Sequence, residues 1–387
     1  MDMDRPAPLV LKDMILHASQ LGLAMPHQTI DAELAKDLAS AGALAPSAGN
    51  DQPWKLLLHG GRLFLYHEAE RSYSVLDPER MIPHIALGMF IENVLQRAGA
   101  SGAQLEVHLA ADVGPGPIAW FERVEGTPRP ESCQWSDQLA TRHTNRNPAL
   151  GTELPSGTIA ALQKALATTK DTRLLVVQDR DVLTRLGSIS GAVEQIRFFD
   201  RQGHAEFFER EVRWTASEAS RTRDGLDVRT LGLPLVGQWA LRLAAKPWVM
   251  DLMRWSGSRA LERPTADAVR TAAAVVLVTV PKLDLPGRLM AGRAAQRVWL
   301  QATAMGVSVH PVSAAIFLGH LAELPPPSVL GDAETRKCRE LLQELRSLFN
   351  AQEQQPAFMM KLTLAGATEV RSLRLPIEDI LCTSDEG

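Results

Sequence analysis

Cysteine is scarce in this 387-residue chain. Cys133, Cys338 and Cys382 lie far apart and form no CxxC pair, which excludes a disulfide framework and a cysteine-built zinc site. An excess of one charge is also missing: 41 Lys and Arg stand against 45 Asp and Glu, a formal net charge of -4, so the basic surplus of a general nucleic-acid binder is absent. No apolar run is long enough for a bilayer-spanning helix, which takes about 20 residues. The longest, Ala272 to Val280, reads as a buried strand. The opening Met-Asp-Met-Asp-Arg-Pro lacks the basic-then-apolar order of a signal peptide. A P-loop, HExxH, GxSxG and metal-spaced His/Cys clusters are all missing, and Gly114-Pro115-Gly116-Pro117 is not a GxGxxG turn. These absences point to a soluble, cytoplasmic protein with no metal, no nucleic-acid partner and no membrane partner.

The chain is longer than one compact core usually is, so two linked units or one enlarged domain is expected. Residues 31 to 44 have helical spacing and an acidic first turn, and Pro46 ends that helix. Trp54 to Leu58 and Arg62 to Tyr66 read as strands flanking a hairpin at His59-Gly60-Gly61, followed by a helix over 80 to 99 and a strand from Gln104 to Leu109. A second series opens with a helix near Gln134 and another from Ser156 to Thr168. It continues with strands Arg173 to Val177 and Ala274 to Val280, a helix Pro286 to Met305 and a strand Val307 to His310. A helix Glu334 to Asn350 and a strand Phe358 to Leu364 close it. GMFIENVLQRAGASGAQLEV from Gly88 overlays GRAAQRVWLQATAMGVSVHP from Gly292 without a gap, at an offset of 204 residues that also pairs Gly102 with Gly306. In both copies a helix ends at glycine and a strand begins at once, the pattern of a duplicated unit.

Four segments carry candidate chemistry. The loop Ala45-Pro46-Ser47-Ala48-Gly49-Asn50-Asp51-Gln52-Pro53-Trp54 offers backbone N–H groups and the side chains of Ser47, Asn50 and Gln52 to a polar ligand, held stiff by two prolines. Arg142-His143-Thr144-Asn145-Arg146 places two guanidiniums and a hydroxyl where they can close on a phosphate. Arg371-Ser372-Leu373-Arg374 is a basic C-terminal segment, with Arg374 the better phosphate candidate of its two arginines. His310-Pro311-Val312-Ser313 turns a strand into a helix, whose N-terminus favours negative charge.

The first loop resembles the APSxxNxQPW stretch of the nitroreductase family, and RHTNR is similar to that family's RRSxR segment, with His143 in place of its second arginine. The pattern resembles in particular the Acg-like branch, over most of residues 31 to 150 and 286 to 380. The resemblance implies an α+β, nitroreductase-like fold of two tandem halves, 1–130 and 131–387, forming a pseudo-dimer in one chain. It implies FMN as cofactor, bound by Pro46, Ser47, Asn50, Gln52, Arg142, Thr144, Asn145, Arg146, His310, Pro311, Val312, Ser313, Arg371 and Arg374. Each half lacks the element that the other has, so one complete site and one FMN per chain are expected.

Residues 191 to 262 interrupt the second half and hold Phe198, Phe199, Phe207, Phe208, Trp214, Trp239, Trp248 and Trp255. A helical lid over the flavin and an extra packing surface are the two readings, and the density of aromatics favours the lid. No dedicated acid or base is evident, and Arg259, Arg263 and Arg297 are equal candidates for a cation near flavin N1. The expected function is an FMN-dependent oxidoreductase using NAD(P)H and an electron-poor small molecule. The alternative is an FMN-storing protein with a closed pocket. The chain is expected to be a monomer or a weak homodimer.

Overall fold

The computed structural model describes residues 6–151, 153–169, 171–326 and 329–384. The first part runs α1 (Leu11–Gln20), α2 (Ala32–Ala43), β1 (Trp54–His59), β2 (Arg62–His67), α3 (Met81–Ala100), β3 (Leu105–Leu109) and β4 (Ala119–Arg123). The second begins with β5 (Ala149–Gly151), α4 (Thr158–Ala165) and β6 (Arg173–Val177). A long excursion follows: α5 (Arg180–Phe199), α6 (Arg201–Ala205), β7 (Val212–Arg213), α7 (Ala216–Thr222), β8 (Leu226–Asp227), α8 (Leu235–Ala244), α9 (Pro247–Trp255) and α10 (Glu262–Arg270). The chain returns in β9 (Ala274–Val280), α11 (Leu285–Ala304), β10 (Ser308–Pro311), α12 (Ala314–Glu323), α13 (Asp332–Leu348), β11 (Gln355–Ala365), α14 (Ile377–Ile380) and β12 (Leu381–Thr383).

Local chemistry accounts for the element ends. Asp31 caps α2 by accepting from the Leu34 N–H at 2.8 Å. Gly60 and Gly61, both at positive φ, make the two-residue turn that sets His59 opposite Arg62. At the ends of α3 and α11 the duplication holds residue by residue. Gly102 and Gly306 both have positive φ, and the Ala103 N–H donates to Ala98 as the Val307 N–H does to Ala302, each at 2.9 Å.

The sheets repeat as well. One runs β1-β2-β4-β3, the other β6-β9-β11-β10, antiparallel throughout, each with a core helix between its second and third strands in chain order. The fold is therefore α+β with a four-stranded motif built twice. The C-terminal β12 adds to the first sheet, parallel to β1, with Leu56 opposite Leu381. α3 and α11 cross with their backbones almost touching. A Cβ on Gly88 would lie 2.1 Å from the Leu289 carbonyl oxygen, and a Cβ on Gly292 would lie 2.0 Å from that of Ile85. Ile85 and Leu289 stand at the same 204-residue offset, so the crossing is itself two-fold. Beside it Glu92, fully buried, accepts from Arg297 at 2.7 Å and Arg293 at 3.2 Å, and Gln296 donates to Asn93 at 2.6 Å.

Three expectations need correction. The segment near Gln134 forms short 3-10 turns in place of a helix, because Trp135 is buried between the core helices, its N–H donating to Gln96 and its indole N–H to Gln301. α1, β4 and β12 were not anticipated, and β11 starts earlier, at Gln355. The insert is wider than 191 to 262: where β1 and β2 are joined by Gly60-Gly61, their counterparts β6 and β9 are joined by residues 178–273, and position 191 falls inside α5. No described helix is long and apolar enough to cross a membrane.

Gly292→Leu should destabilise the protein by about 3 kcal/mol or more, since a side chain there must force two helix backbones apart. Gly114→Ala, at a position with open space around it, should stay within about 0.5 kcal/mol of the parent. Urea unfolding of both variants measures this, and equal midpoints would contradict the close crossing.

Candidate functional site

A cavity of about 860 Å³ opens where the two repeated units meet. Clefts that hold drug-sized ligands or cofactors have volumes of roughly 300 to 1,000 Å³. The first unit contributes Pro46 to Gly49, Asp51 and residues 70 to 74. The second contributes Thr144, Arg146, Trp299 and His310 to Ala314, and the insert contributes residues from Ser190 to Leu231.

The 46–52 loop is conformationally demanding. Gly49, Asn50 and Gln52 all have positive φ, which costs a glutamine most. Side-chain bonds hold it there. The Ser47 hydroxyl accepts from the Gln52 N–H at 2.9 Å, and Gln52 Nε2 donates to the Arg223 carbonyl at 2.9 Å. Gln52 Oε1 accepts from the Leu375 N–H at 2.9 Å, while Asn50 Nδ2 donates to the Leu373 carbonyl at 3.1 Å and its Oδ1 accepts from Arg374 at 2.8 Å. Asn50 and Gln52 thus tie the loop to the C-terminal segment and the insert, while Pro46 and Ser47 face the cavity.

The RHTNR segment is drawn against β10. Thr144 bridges to Val309, and the Asn145 N–H donates to the Val309 carbonyl at 3.0 Å. Asn145 Nδ2 donates to the Gly366 carbonyl at 2.9 Å, so this side chain is committed to backbone. Arg146 reaches the cavity and donates to Thr230 of the insert at 3.1 Å. Arg142 lies behind the loop, donating to the Leu44 carbonyl at 2.8 Å, with its guanidinium 4.7 Å from the Trp299 ring centroid. Arg374 donates to Ala43 at 2.7 Å and Ala45 at 3.1 Å, and Arg371 donates to Ala140 at 3.2 Å. Arg371 also lines a separate cleft of about 150 Å³.

None of these four arginines pairs with a carboxylate among the described residues, and the buried Arg142 Nε–H has no acceptor. Burial, then the charges of Arg374 and Arg371, bring the Arg142 pKa down to about 9, and burial brings Arg374 down to about 10. His310 Nδ1 is likewise buried without a partner. Burial, with Arg146 and Lys361 nearby, holds that ring neutral. Ser313 is turned inward to Met359, with its hydroxyl accepting from the Met359 N–H at 2.8 Å, while the Val312 N–H donates to the Met359 carbonyl at 2.9 Å.

Several residues of the site were not anticipated. Behind the cavity wall, burial and Arg146 push Lys361 of β11 down to about 8. Asp51 lines the cavity with one buried carboxylate oxygen unpartnered, and burial pushes its pKa up to about 7. It sits inside the loop motif, between the amide side chains of Asn50 and Gln52. The insert is bonded across to the first unit: Glu206 accepts from the Ser74 hydroxyl and the Val75 N–H, both at 2.7 Å, and Arg210 donates to the Tyr73 carbonyl at 2.7 Å. Arg197 lies between Glu211 at 2.6 Å and Glu194 at 3.6 Å. The candidate flavin cations are elsewhere: Arg259 pairs with Glu262 on the surface, Arg297 is engaged by Glu92, and Arg263 does not line the cavity.

No family model matches the chain. It is 26% identical over 277 residues, 71% of its length, to an uncharacterized protein of Mycobacterium tuberculosis, and the match spans 38% of that relative. Among solved structures it is similar to the FMN-dependent nitroreductase NfnB of Mycobacterium smegmatis, in complex with NADPH, at 15% identity and a TM-score of 0.35, covering 64% of this chain and 96% of that one. It is also similar to a nitroreductase with bound FMN from Desulfitobacterium hafniense, at 11% identity and 0.35, covering 64% and 95%. A BluB-like flavoprotein from Clostridium difficile aligns at 12% identity and 0.35, covering 65% and 98%.

Asp51 makes the site sensitive to pH. Its folded-state pKa lies above the unfolded value, so the native state holds the extra proton, and the stability this contributes is present below about pH 4 and lost as pH rises through about 7. Asp51→Asn should therefore gain stability relative to the parent between pH 5 and 8, at up to roughly 1.4 kcal/mol per pH unit. Urea melts at both pH values measure it. A difference between the two proteins that does not vary with pH would refute the raised pKa.

Proposed function

We propose that the chain binds one FMN in the cavity between its two units, and that it is an FMN-dependent oxidoreductase of nitroreductase type, of the Acg-like single-chain branch. The observation that carries this reading is the buried Arg142 guanidinium, with an unused N–H, beside Arg371 and Arg374 and without a carboxylate to neutralise them. Such a site is short of one anion, and a terminal phosphate supplies it. Arg371, in the adjoining cleft that shares Asp224 and Gly225 with the cavity, and Arg142, behind the 46–52 loop, would hold that phosphate at the cavity's edge, with Arg374 fixing the loop that closes over it. Pro46, Ser47, Thr144, Arg146 and the 310–313 turn would bound the rest of the cofactor, and Asn50, Gln52 and Asn145 would act one step back, by holding that wall in place. The natural division of the chain is 1–130 and 131–387, with the insert covering the site.

FMN, when bound, supplies two-electron transfer from a nicotinamide donor to an electron-poor acceptor. The protein's part is to orient and exclude water. Asp51 and His310 are among the groups at the cavity able to exchange or withhold a proton there, as is Asp77, which burial pushes up to about 6. A second reading, FMN storage, is favoured by the insert's bonds to residues 73 to 75, which keep the cavity covered. Anaerobic mixing of the FMN-loaded protein with NADPH or NADH separates the two: bleaching of the flavin supports the oxidoreductase, and an unchanged spectrum supports storage.

Arg142→Gln should weaken FMN binding about ten- to a hundredfold, as loss of a charge-assisted contact does. Arg371→Gln, on the exposed side of the cluster, should act in the same direction, and Arg180→Gln should leave affinity unchanged. Fluorescence titration with FMN checks all three. Saturation at two equivalents, or equal affinity across the variants, would overturn the proposed site.

A further inference from the structure

The outer part of the insert presents its apolar side to solvent. α8 buries no residue and α9 buries only Met250. Leu235, Val236 and Trp239 on α8 and Trp248, Leu252 and Trp255 on α9 are all exposed, with the three tryptophans at 73%, 62% and 84%. Scattered apolar side chains on a surface need no explanation, but a cluster with three open indoles on two adjoining helices does. A lid would turn these aromatics over the cavity. In the structure residues 206 to 231 line it, and the hairpin beyond them turns its indoles away.

We infer that this helical hairpin docks on an anionic lipid surface. The face is basic although the whole chain is acidic. Arg242, Lys246 and Arg254 are exposed beside it against one carboxylate, Asp251, with Arg259 already paired to Glu262. Arg242 is anchored by the Trp214 carbonyl at 2.9 Å and Arg254 lies 5.5 Å from the Phe199 ring centroid, so these two add positive charge at the edge of the face and Lys246 is the one that extends from it. Indoles with basic side chains beside them are the composition of helices that lie in the headgroup region: Trp settles at the interface, and Lys and Arg reach up to lipid phosphates. Each such cation near an anionic leaflet contributes about 1 kcal/mol. A second copy of the chain fits less well, because a two-fold contact through this face would set its basic side chains against themselves. The absence of a spanning helix is no obstacle, since attachment of this kind lies on the bilayer and does not cross it. The inference is independent of what the cavity binds.

Co-sedimentation of the full chain with vesicles of equimolar phosphatidylcholine and phosphatidylglycerol tests it, with pure phosphatidylcholine vesicles as the comparison. Binding to the mixed vesicles, reduced by salt and weak on the neutral ones, is expected. The Trp239→Ala/Trp248→Ala/Trp255→Ala variant should bind about tenfold less or weaker, with an unchanged thermal midpoint because these side chains are exposed. In the unaltered protein, brominated lipid should quench tryptophan fluorescence. No sedimentation with the mixed vesicles, absence of quenching, or equal binding by parent and variant would overturn the inference. So would a concentration-dependent dimer, dissolved by the triple substitution, in a protein that ignores the vesicles.

Discussion

The close crossing of α3 over α11 at Gly88 and Gly292 is the contact on which the rest of the molecule depends. Two glycines at equivalent positions let each helix rest on the other's backbone, and any side chain there would meet a carbonyl oxygen at about 2 Å. The crossing sets the distance between the two sheets, and so brings the 46–52 loop of one unit against the 142–146 and 310–314 segments of the other. A cavity built from both units needs that distance fixed. The polar residues beside the crossing show what a single chain permits. Glu92 and Gln296 are at equivalent positions, as are Asn93 and Arg297, yet they differ in charge and bond across the interface to one another's neighbours. In a dimer of identical chains each pair of equivalent positions would hold the same residue, and the two cross-interface contacts would be identical. Here one carboxylate is shared by two guanidiniums that a symmetric interface would have to duplicate, and leaving that buried charge unpaired would be costly.

Charge is divided unevenly around the cavity. Arg142, Arg146, Arg371 and Arg374 donate to backbone carbonyls, and Arg374 also to the uncharged Asn50 amide oxygen, with no carboxylate partner among the described residues, whereas Arg197, Arg71 and Arg213 in the insert and the loop facing it are paired with Glu211 or Asp224. One end of the site is therefore electropositive and uncompensated, and the other is neutralised internally. The first end is suited to an anion, and the second is bonded across to residues 71 to 75 of the first unit. Arg142 feels this most, since it is buried, close to two like charges, and short of one acceptor.

How far the sequence disclosed this follows from the range of the interactions. Elements defined by local periodicity and turn chemistry are legible: α2 between Asp31 and Pro46, the Gly60-Gly61 hairpin, and the repeat of helix, glycine and strand at an offset of 204. What rests on distant contacts is not. The turns around Trp135 carry enough apolar residues to suggest a helix, but its backbone N–H is held by Gln96 and its indole N–H by Gln301, from two other helices. β12 is three residues long and exists because β1 offers an edge. At the site, residue type was readable and orientation was not. Asn50 and Gln52 were as plausible facing a ligand as facing the C-terminal segment, and they do the latter. Nothing local in the sequence marks Asp51, because the burial of its unpartnered carboxylate oxygen is a product of the tertiary fold.

The two units differ most where their equivalent strands are joined. Between β1 and β2 the chain turns in two glycines. Between β6 and β9, in the same place of the same sheet, it leaves for residues 178–273 and returns in register, with Arg173 opposite Thr279 and Val177 opposite Val275. An excursion of that length is tolerated because closing a loop costs only logarithmically more as it grows, while β6 and β9 keep all their pairing. It is also self-supporting at its base: Gly187 and Gly191 of α5 let α10 approach so closely that a Cβ on either would lie about 2.5 Å from a backbone oxygen of that helix. The base thus repeats the device of the central crossing, with small residues bringing two helices into backbone contact. Beyond it the insert is free to bond across to residues 71 to 75 of the other unit, and farther out still to expose a face that the rest of the fold has no means of covering.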